Sequence, residues 1–539
     1  MRRMLALAVL LSLPALAGAE RPSDTKTYSD TDALNIGWPQ LAGPLGNFTA
    51  LRTQTPLIDD LSQAKLLWTS ETKDLGRAKG GSQAYRRADQ FTDANFAKMG
   101  SHPGSWAGVI VAQSTVFAHS WKPTGPHVEL GGNNIRLDAD DFVIAIDALT
   151  GKTKWQTTIP GGILKGGGKR EGWHMGPVYT DGKVIALTTT GLLVAVNSTD
   201  GKIAWQSEEH PARASLVKAR EDALKNLAAG KFTYALTPER CASLAVIADT
   251  VLVPNGNGGL VAFDAATGKM KWTAANVISR WAQPVAWHHG GKAYIVTANE
   301  KGELRLLNPA DGKALWTLAG LGPNWPTLTV GGDHVLVNIV PNSGKVKDKD
   351  RMHGRWGAVK LSLDKGEKTW ELPKTHVIPV WMDTGARMRV AYQNGVFLIP
   401  HLSQESGVTE DGESKGTQVA SNAARATAPA LLVDAATGKI LAELPATGDR
   451  DKDLCGLFYW VGDKVISRGD SFHGPTHGGR HPWSFWSTAD NKLSQLPGNM
   501  DLGEFTNGYE VSMEVPLVAG LMFERNEKGQ LLCYDLRNK

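Results

Sequence analysis

One short pattern recurs along this chain and restricts its fold more than any other feature. Residues 143–147 run into Thr150, Gly151 and Lys152 and end at Trp155. Residues 193–197 lead in the same way to Asp200, Gly201, Lys202 and Trp205, and residues 260–264 to Thr267, Gly268, Lys269 and Trp272. Residues 304–308 lead to Asp311, Gly312, Lys313 and Trp316. Three fainter copies follow: Lys365, Gly366 and Trp370; then Thr437, Gly438 and Lys439 without a tryptophan; then Asp490, Asn491 and Lys492. The apolar run before each Asp or Asn predicts a buried strand. Asp, Thr and Gly predict a tight turn, because their side chains bond the backbone or, for Gly, permit positive φ. The tryptophan then falls on the return strand, where it can dock on a neighbouring unit.

Further apolar runs, such as 177–186 and 283–297, precede the copies, so each unit carries four antiparallel strands. Successive glycines stand 44 to 72 residues apart. The shorter spacings suit a four-stranded propeller blade, and the longer ones imply insertions. The two ends complete one another: residues 531–535 read as the first half of a copy, and Lys65 to Trp68 as the second half. A ring must close, and pairing the ends in one blade removes free sheet edges. Seven internal units and one shared unit predict an all-β, eight-bladed β-propeller of four-stranded antiparallel blades, closed by pairing of N- and C-terminal strands. Seven is the other count that the decayed copies allow.

The expected organisation is a signal peptide at 1–19, an N-terminal extension at 20–59 and a single propeller domain at 60–539. Inserts are expected at about 71–104, 207–240 and 402–428. The segment 1–19 has Arg2 and Arg3, an apolar stretch to Leu16 and small residues at Ala17 and Ala19, the layout of a secretory leader. No cysteine near that point offers a lipid anchor, so a soluble periplasmic or secreted protein is expected. Residues 212–231 carry Leu216, Ala223, Leu224 and Leu227 at helical spacing, which predicts a surface helix. With 42% hydrophobic and 21% charged residues the chain can bury a core, and no run of about 18 apolar residues predicts a membrane span. A formal charge of +4 is too small to indicate a nucleic-acid partner.

The copies resemble the PQQ-like (quinoprotein-like) β-propeller repeats, whose signature is similar to Ala-x-Asp-x-x-Thr-Gly-x-x-x-Trp; residues 262–272 follow it almost letter for letter. The opening around Trp38, Gly43 and Asn47 and the ending 529–536 look like extracytoplasmic members. The resemblance implies two classes of function. One is a non-catalytic binding or scaffolding module, such as the lipoprotein propeller of the outer-membrane barrel-assembly machinery. The other is a dehydrogenase that holds pyrroloquinoline quinone (PQQ) and Ca²⁺ on the axis and oxidises alcohols or sugars. Fold alone does not choose between them.

Residues just upstream of the inner strands should converge on one mouth of a propeller. They include Trp106, Trp173, His174, Cys241, Ser243, Arg280, Trp281, Asn324, Trp325, Cys455 and Glu510. As a cofactor cradle the indoles would stack a flat quinone, Arg280 would pair a carboxylate, and Asn324 and Glu510 would ligate Ca²⁺. As packing they would lock blade to blade. Departures from the dehydrogenases favour packing: there is no adjacent cysteine pair and no Cys-x-x-Cys-His haem signal. Cys241, Cys455 and Cys533 are expected to be reduced. His473, His477 and His481 have a spacing that could bind zinc on a helix, but Gly474, Pro475, Gly478 and Pro482 argue against a helix there. The leading expectation is a binding module without chemistry, with a protein or small-molecule partner at the propeller face; the alternative is the PQQ- and calcium-dependent dehydrogenase.

Overall fold

The computed structural model describes residues 22–75, 107–126, 128–130, 133–135, 137–163, 175–231, 243–255, 258–279, 282–324, 327–339, 352–373, 377–380, 389–403, 426–447, 452–454, 457–468, 482–500, 514–526 and 528–539. Alternating apolar runs separated by tight turns fold into eight four-stranded antiparallel sheets, the blades of a propeller. Blade 2 shows the plan: Val178–Thr180, Lys183–Leu187, Leu193–Asn197 and Ile203–Ser207 lie side by side in that order. The inner strands of successive blades begin at Ile110, Val178, Ala245, Val285, Thr329, Ala391, Leu457 and Leu517. Neighbours among them touch in order from blade 1 through blade 7.

The eighth blade is shared between the ends of the chain. Leu517–Val518, Leu521–Arg525 and Leu531–Asp535 are completed by Lys65–Thr69, with Leu66 opposite Tyr534 and Trp68 opposite Cys533. The closure read from the split repeat is therefore present.

The repeated turn works as its composition predicts. In blade 3 the Asp264 carboxylate accepts from the Thr267 hydroxyl (2.7 Å) and backbone N–H (2.8 Å), and Gly268 takes φ +74°. The Thr267 hydroxyl bond holds the Asp264 carboxyl below its usual range. Each repeat tryptophan then lies on the turn glycine of the next blade. The indole N–H donates to a turn carbonyl: Trp68 to Ala148, Trp155 to Ser198, Trp205 to Ala265, Trp272 to Pro309, Trp316 to Ser362 and Trp370 to Ala435, all at 2.8–3.2 Å. Gly268 has no room for a Cβ against the Trp205 ring, so absence of a side chain is what allows the contact. This relay joins blades 8, 1, 2, 3, 4, 5 and 6 in order. It stops there, because Ala442 stands where blade 6 would carry its indole and Asn491 replaces glycine in blade 7.

A second turn signature joins the middle strands. Thr188, Asn255, Asn299 and Asn526 each accept from the N–H four residues on, with a positive-φ glycine between at 191, 258, 302 and 529. The expected helix forms as α1's longer counterpart: α1 is Asp30–Ile36 and α2 is Arg213–Ala228, the latter burying Leu216, Ala223 and Leu227. Of the expected insert at 402–428, Leu402–Ser403 and Ala426–Ala428 pair as a small sheet.

Removing one member of the relay should be costly. Trp272→Ala is expected to destabilise the ring by about 3 kcal/mol. Gly268→Ala should cost about 2 kcal/mol through left-handed strain and displacement of Trp205. Lys269→Ala should stay within about 0.5 kcal/mol. Chemical denaturation of the three variants checks this ordering.

Candidate functional site

The axis is occupied by the chain's own N-terminal segment. After α1, Trp38 pairs with Val111 of blade 1 by two backbone hydrogen bonds, the Pro39 carbonyl accepts from Tyr179 of blade 2, and the Gln40 side chain accepts from Val246 of blade 3. The segment then turns, and Asn47 and Thr49 donate to the Tyr392 carbonyl of blade 6. Phe48 and Ala50 bracket Trp460 of blade 7, and Ile58 donates to Leu536 beyond blade 8. All five inner-strand contacts lie toward the turn that leads to the second strand, so this strap covers that mouth. It satisfies inner-strand backbone groups that face the axis, which would otherwise be buried without partners.

Above the strap lies a buried polar group built from three blades. Arg389 precedes the inner strand of blade 6, Tyr459 sits on that of blade 7, and Glu514 precedes that of blade 8. Arg389 pairs with Glu514 at 3.0 Å and donates to the Tyr459 hydroxyl at 3.0 Å, and that hydroxyl also accepts from Val515 N–H at 2.8 Å. Trp38 meets Tyr459 edge-on at 5.2 Å, and the Arg389 guanidinium lies 4.8 Å from the Phe48 ring. Blade 1 approaches through Gly108, where a Cβ would collide with Glu514. Burial pushes the Glu514 carboxyl up to about 7, against the opposing pull of Arg389. Burial likewise raises the Tyr459 phenol.

Two further buried groups act between blades. Arg468 pairs with Glu524, which also accepts from the Trp483 indole at 2.8 Å, joining blades 7 and 8. Asp141 accepts from Thr189 of blade 2 (2.7 Å from its hydroxyl) and bonds His119 at 3.1 Å, joining blades 1 and 2.

Of the mouth residues expected from sequence, the structure describes Asn324 and Ser243. Trp106, Trp173, His174, Cys241, Arg280, Trp281, Trp325, Cys455 and Glu510 lie outside the described residues, as do His473, His477 and His481. Asn324 is buried; its amide donates to Gly322 and accepts from Asn338 N–H at 2.9 Å, and its carbonyl accepts from Ser279. Ser243 donates to the Gly176 carbonyl of the preceding blade. Among the described residues no three His, Cys, Asp or Glu side chains are placed to hold a metal ion. Cys533 is a free, buried thiol whose pKa burial raises. No helix among the described residues is long and apolar enough to cross a membrane. Arg389, Tyr459, Glu514 and Trp38 were not read as axial from sequence. The available signal was that Arg389 and Glu514 stand just upstream of inner strands.

The family described as outer membrane protein assembly factor BamB matches residues 60–274 and 235–376, more than half of the chain. The dehydrogenase subunit of a quinone alcohol dehydrogenase from Acetobacter aceti is 33% identical over 148 residues, 26% of this chain and 18% of that protein. Its counterpart from Gluconobacter oxydans is 32% identical over 139 residues, 24% of this chain and 16% of that one. The aligned stretch thus spans less than a fifth of the length of these curated relatives. BamB from Moraxella catarrhalis superposes with a TM-score of 0.41 and 10% identity over 77% of this chain and 98% of its own. A quinohemoprotein alcohol dehydrogenase from Pseudomonas putida HK5 gives 0.49 and 12% over 96% and 83%.

The Glu514 environment sets a pH dependence. Its carboxyl titrates near 7 in the fold and near 4.5 when free, so the folded state binds the proton more tightly. This contribution is present below about pH 4.5 and is lost as pH rises through about 7, on the order of 3 kcal/mol in all. Wild type should lose stability between about pH 5 and pH 8, and Glu514→Gln should show a smaller loss over the same range. Denaturation at the two pH values measures the difference.

Proposed function

This chain belongs to the PQQ-like β-propeller family, described as outer membrane protein assembly factor BamB, and we propose that it serves as an exported binding or scaffolding propeller without chemistry of its own. It would work in the periplasm or outside the cell, with a protein or small-molecule partner at one face. The observation that carries this reading is the filled axis. Arg389 bonds Glu514 and Tyr459 there, with Trp38 and Phe48 packed against them, which commits the group to holding blades together. The strap adds to it by covering one mouth, which leaves the opposite face and the outer edges for recognition.

A second reading has one observation in its favour, the identity of 31–33% with quinone-dependent alcohol dehydrogenase subunits over about a quarter of the chain. In that case Trp173, His174, Arg280, Trp281, Asn324, Trp325 and Glu510 would hold PQQ and Ca²⁺ at the uncovered mouth. PQQ would supply the two-electron acceptor for an alcohol or sugar. The Asn324 amide is already bonded at both ends within its own blade connection, so it would have to exchange those bonds for a cation.

Adding PQQ and Ca²⁺ to the purified full-length protein decides between the two. The expected outcome is a melting temperature unchanged within about 1 °C, since only binding to the native state would raise it, and no dye reduction with alcohols or sugars. A higher melting temperature with turnover, abolished by Trp173→Ala or Glu510→Gln, would establish the dehydrogenase instead.

A further inference from the structure

We propose that the outer strand of the closing blade, Lys65–Thr69, is a docking edge for an extended acidic and apolar segment of a partner protein, a reading that rests on the binding function above. This strand ends its sheet, so one row of its backbone donors and acceptors meets no other strand among the described residues. A bulge between Leu66 and Trp68 turns two successive side chains outward, and Leu66 and Leu67 are 51% and 44% exposed. Leu149, 55% exposed, follows Ala148, whose carbonyl receives the Trp68 N–H. The three leucines therefore stand around one blade joint.

The outer strands of the two neighbouring blades contain proline, and Lys65–Thr69 does not. The outer strand of blade 1, Thr153–Ile163, contains Pro160 and Gly161, and that of blade 7, Ser494–Met500, contains Pro497 and Gly498 and is covered by residues 60–63. In blade 3 the Met270 N–H is taken by the Glu209 carboxylate at 2.6 Å. Blade 5 carries Glu367, Lys368 and Glu371 on its outer strand. Blade 4 offers a single exposed leucine, Leu315.

Charge gives the occupant its chemistry. Lys65 and Lys152 are exposed and make no ion pair among the described residues; Lys152 follows Gly151, the glycine beneath Trp68. Glu71 stands at the far end of the strand. A partner strand would add its backbone to the edge, set alternate apolar side chains on the leucines and place its carboxylates at the Lys65 end.

Two synthetic ten-residue peptides test this on the full-length protein, one alternating valine with glutamate and one alternating valine with lysine. Fluorescence anisotropy should show binding of the glutamate peptide and at least about tenfold weaker binding of the lysine peptide, a difference of about 1.4 kcal/mol. The double variant Leu66→Lys/Leu67→Lys should lose at least tenfold, Leu315→Lys should change nothing, and bound peptide should slow amide exchange at residues 65–69. Equal binding of both peptides, or no loss in the double variant, overturns the proposal. So does self-association by sedimentation that the double variant abolishes, or uptake by anionic phosphatidylglycerol vesicles alone. PQQ-dependent turnover would overturn the scaffold reading without touching the peptide result. A silent edge in a protein that takes up no PQQ would overturn the edge alone.

Discussion

The contact on which the ring depends is an indole laid on a glycine. A flat aromatic side chain can approach a backbone closely only where no Cβ intervenes, and the approach brings its N–H to a carbonyl at the same time. Trp155 on Gly201 and Trp205 on Gly268 show both halves of this arrangement. The glycine is already required by the turn, since it takes positive φ after the Asp-centred hydrogen bonds. One residue thus serves the hairpin and the joint. Stability is distributed over equivalent joints, in the manner of repeat proteins whose units contact only neighbours.

Where the relay is missing, other physics holds the blades. The joints between blades 6 and 7 and between blades 7 and 8 lack the indole contact and are held from inside. Arg389, Tyr459 and Glu514 bridge all three, Arg468 with Glu524 bridges the last two, and the strap binds each of them. Buried charges are expensive unless paired and hydrogen-bonded, and here each carboxylate faces a guanidinium. Such groups are directional in a way that apolar packing is not. They set how three irregular blades meet although the repeat has decayed there.

The parts of the fold that could be read from sequence are those written in local letters. Asp264, Thr267, Gly268 and Trp272 lie within nine residues, so their turn and strand were readable without any knowledge of the ring. Closure was readable because the repeat is divided between Trp68 and Leu531–Asp535, which do pair. The second turn signature escaped notice because Thr188, Asn255, Asn299 and Asn526 share only a hydrogen-bonding side chain and a glycine three residues on. The axial group escaped for a different reason. Arg389 and Glu514 are 125 residues apart and Trp38 is far from both, and nothing near any of them states which charge will face which. Glu514 stands four residues beyond Glu510, the mouth residue read from sequence, which lies outside the described residues.

The strap ties the earliest described residues to the last-made blades. Asn47 bonds Tyr392 across 345 residues, and Lys464 bonds Leu57 across 407. Loop closure over such separations is slow, and contacts of this kind form after local hairpins. The pairing of Leu66 with Tyr534 belongs to the same class of distant contact, so loss of residues 531–535 would leave Lys65–Thr69 without its partner and the ring open.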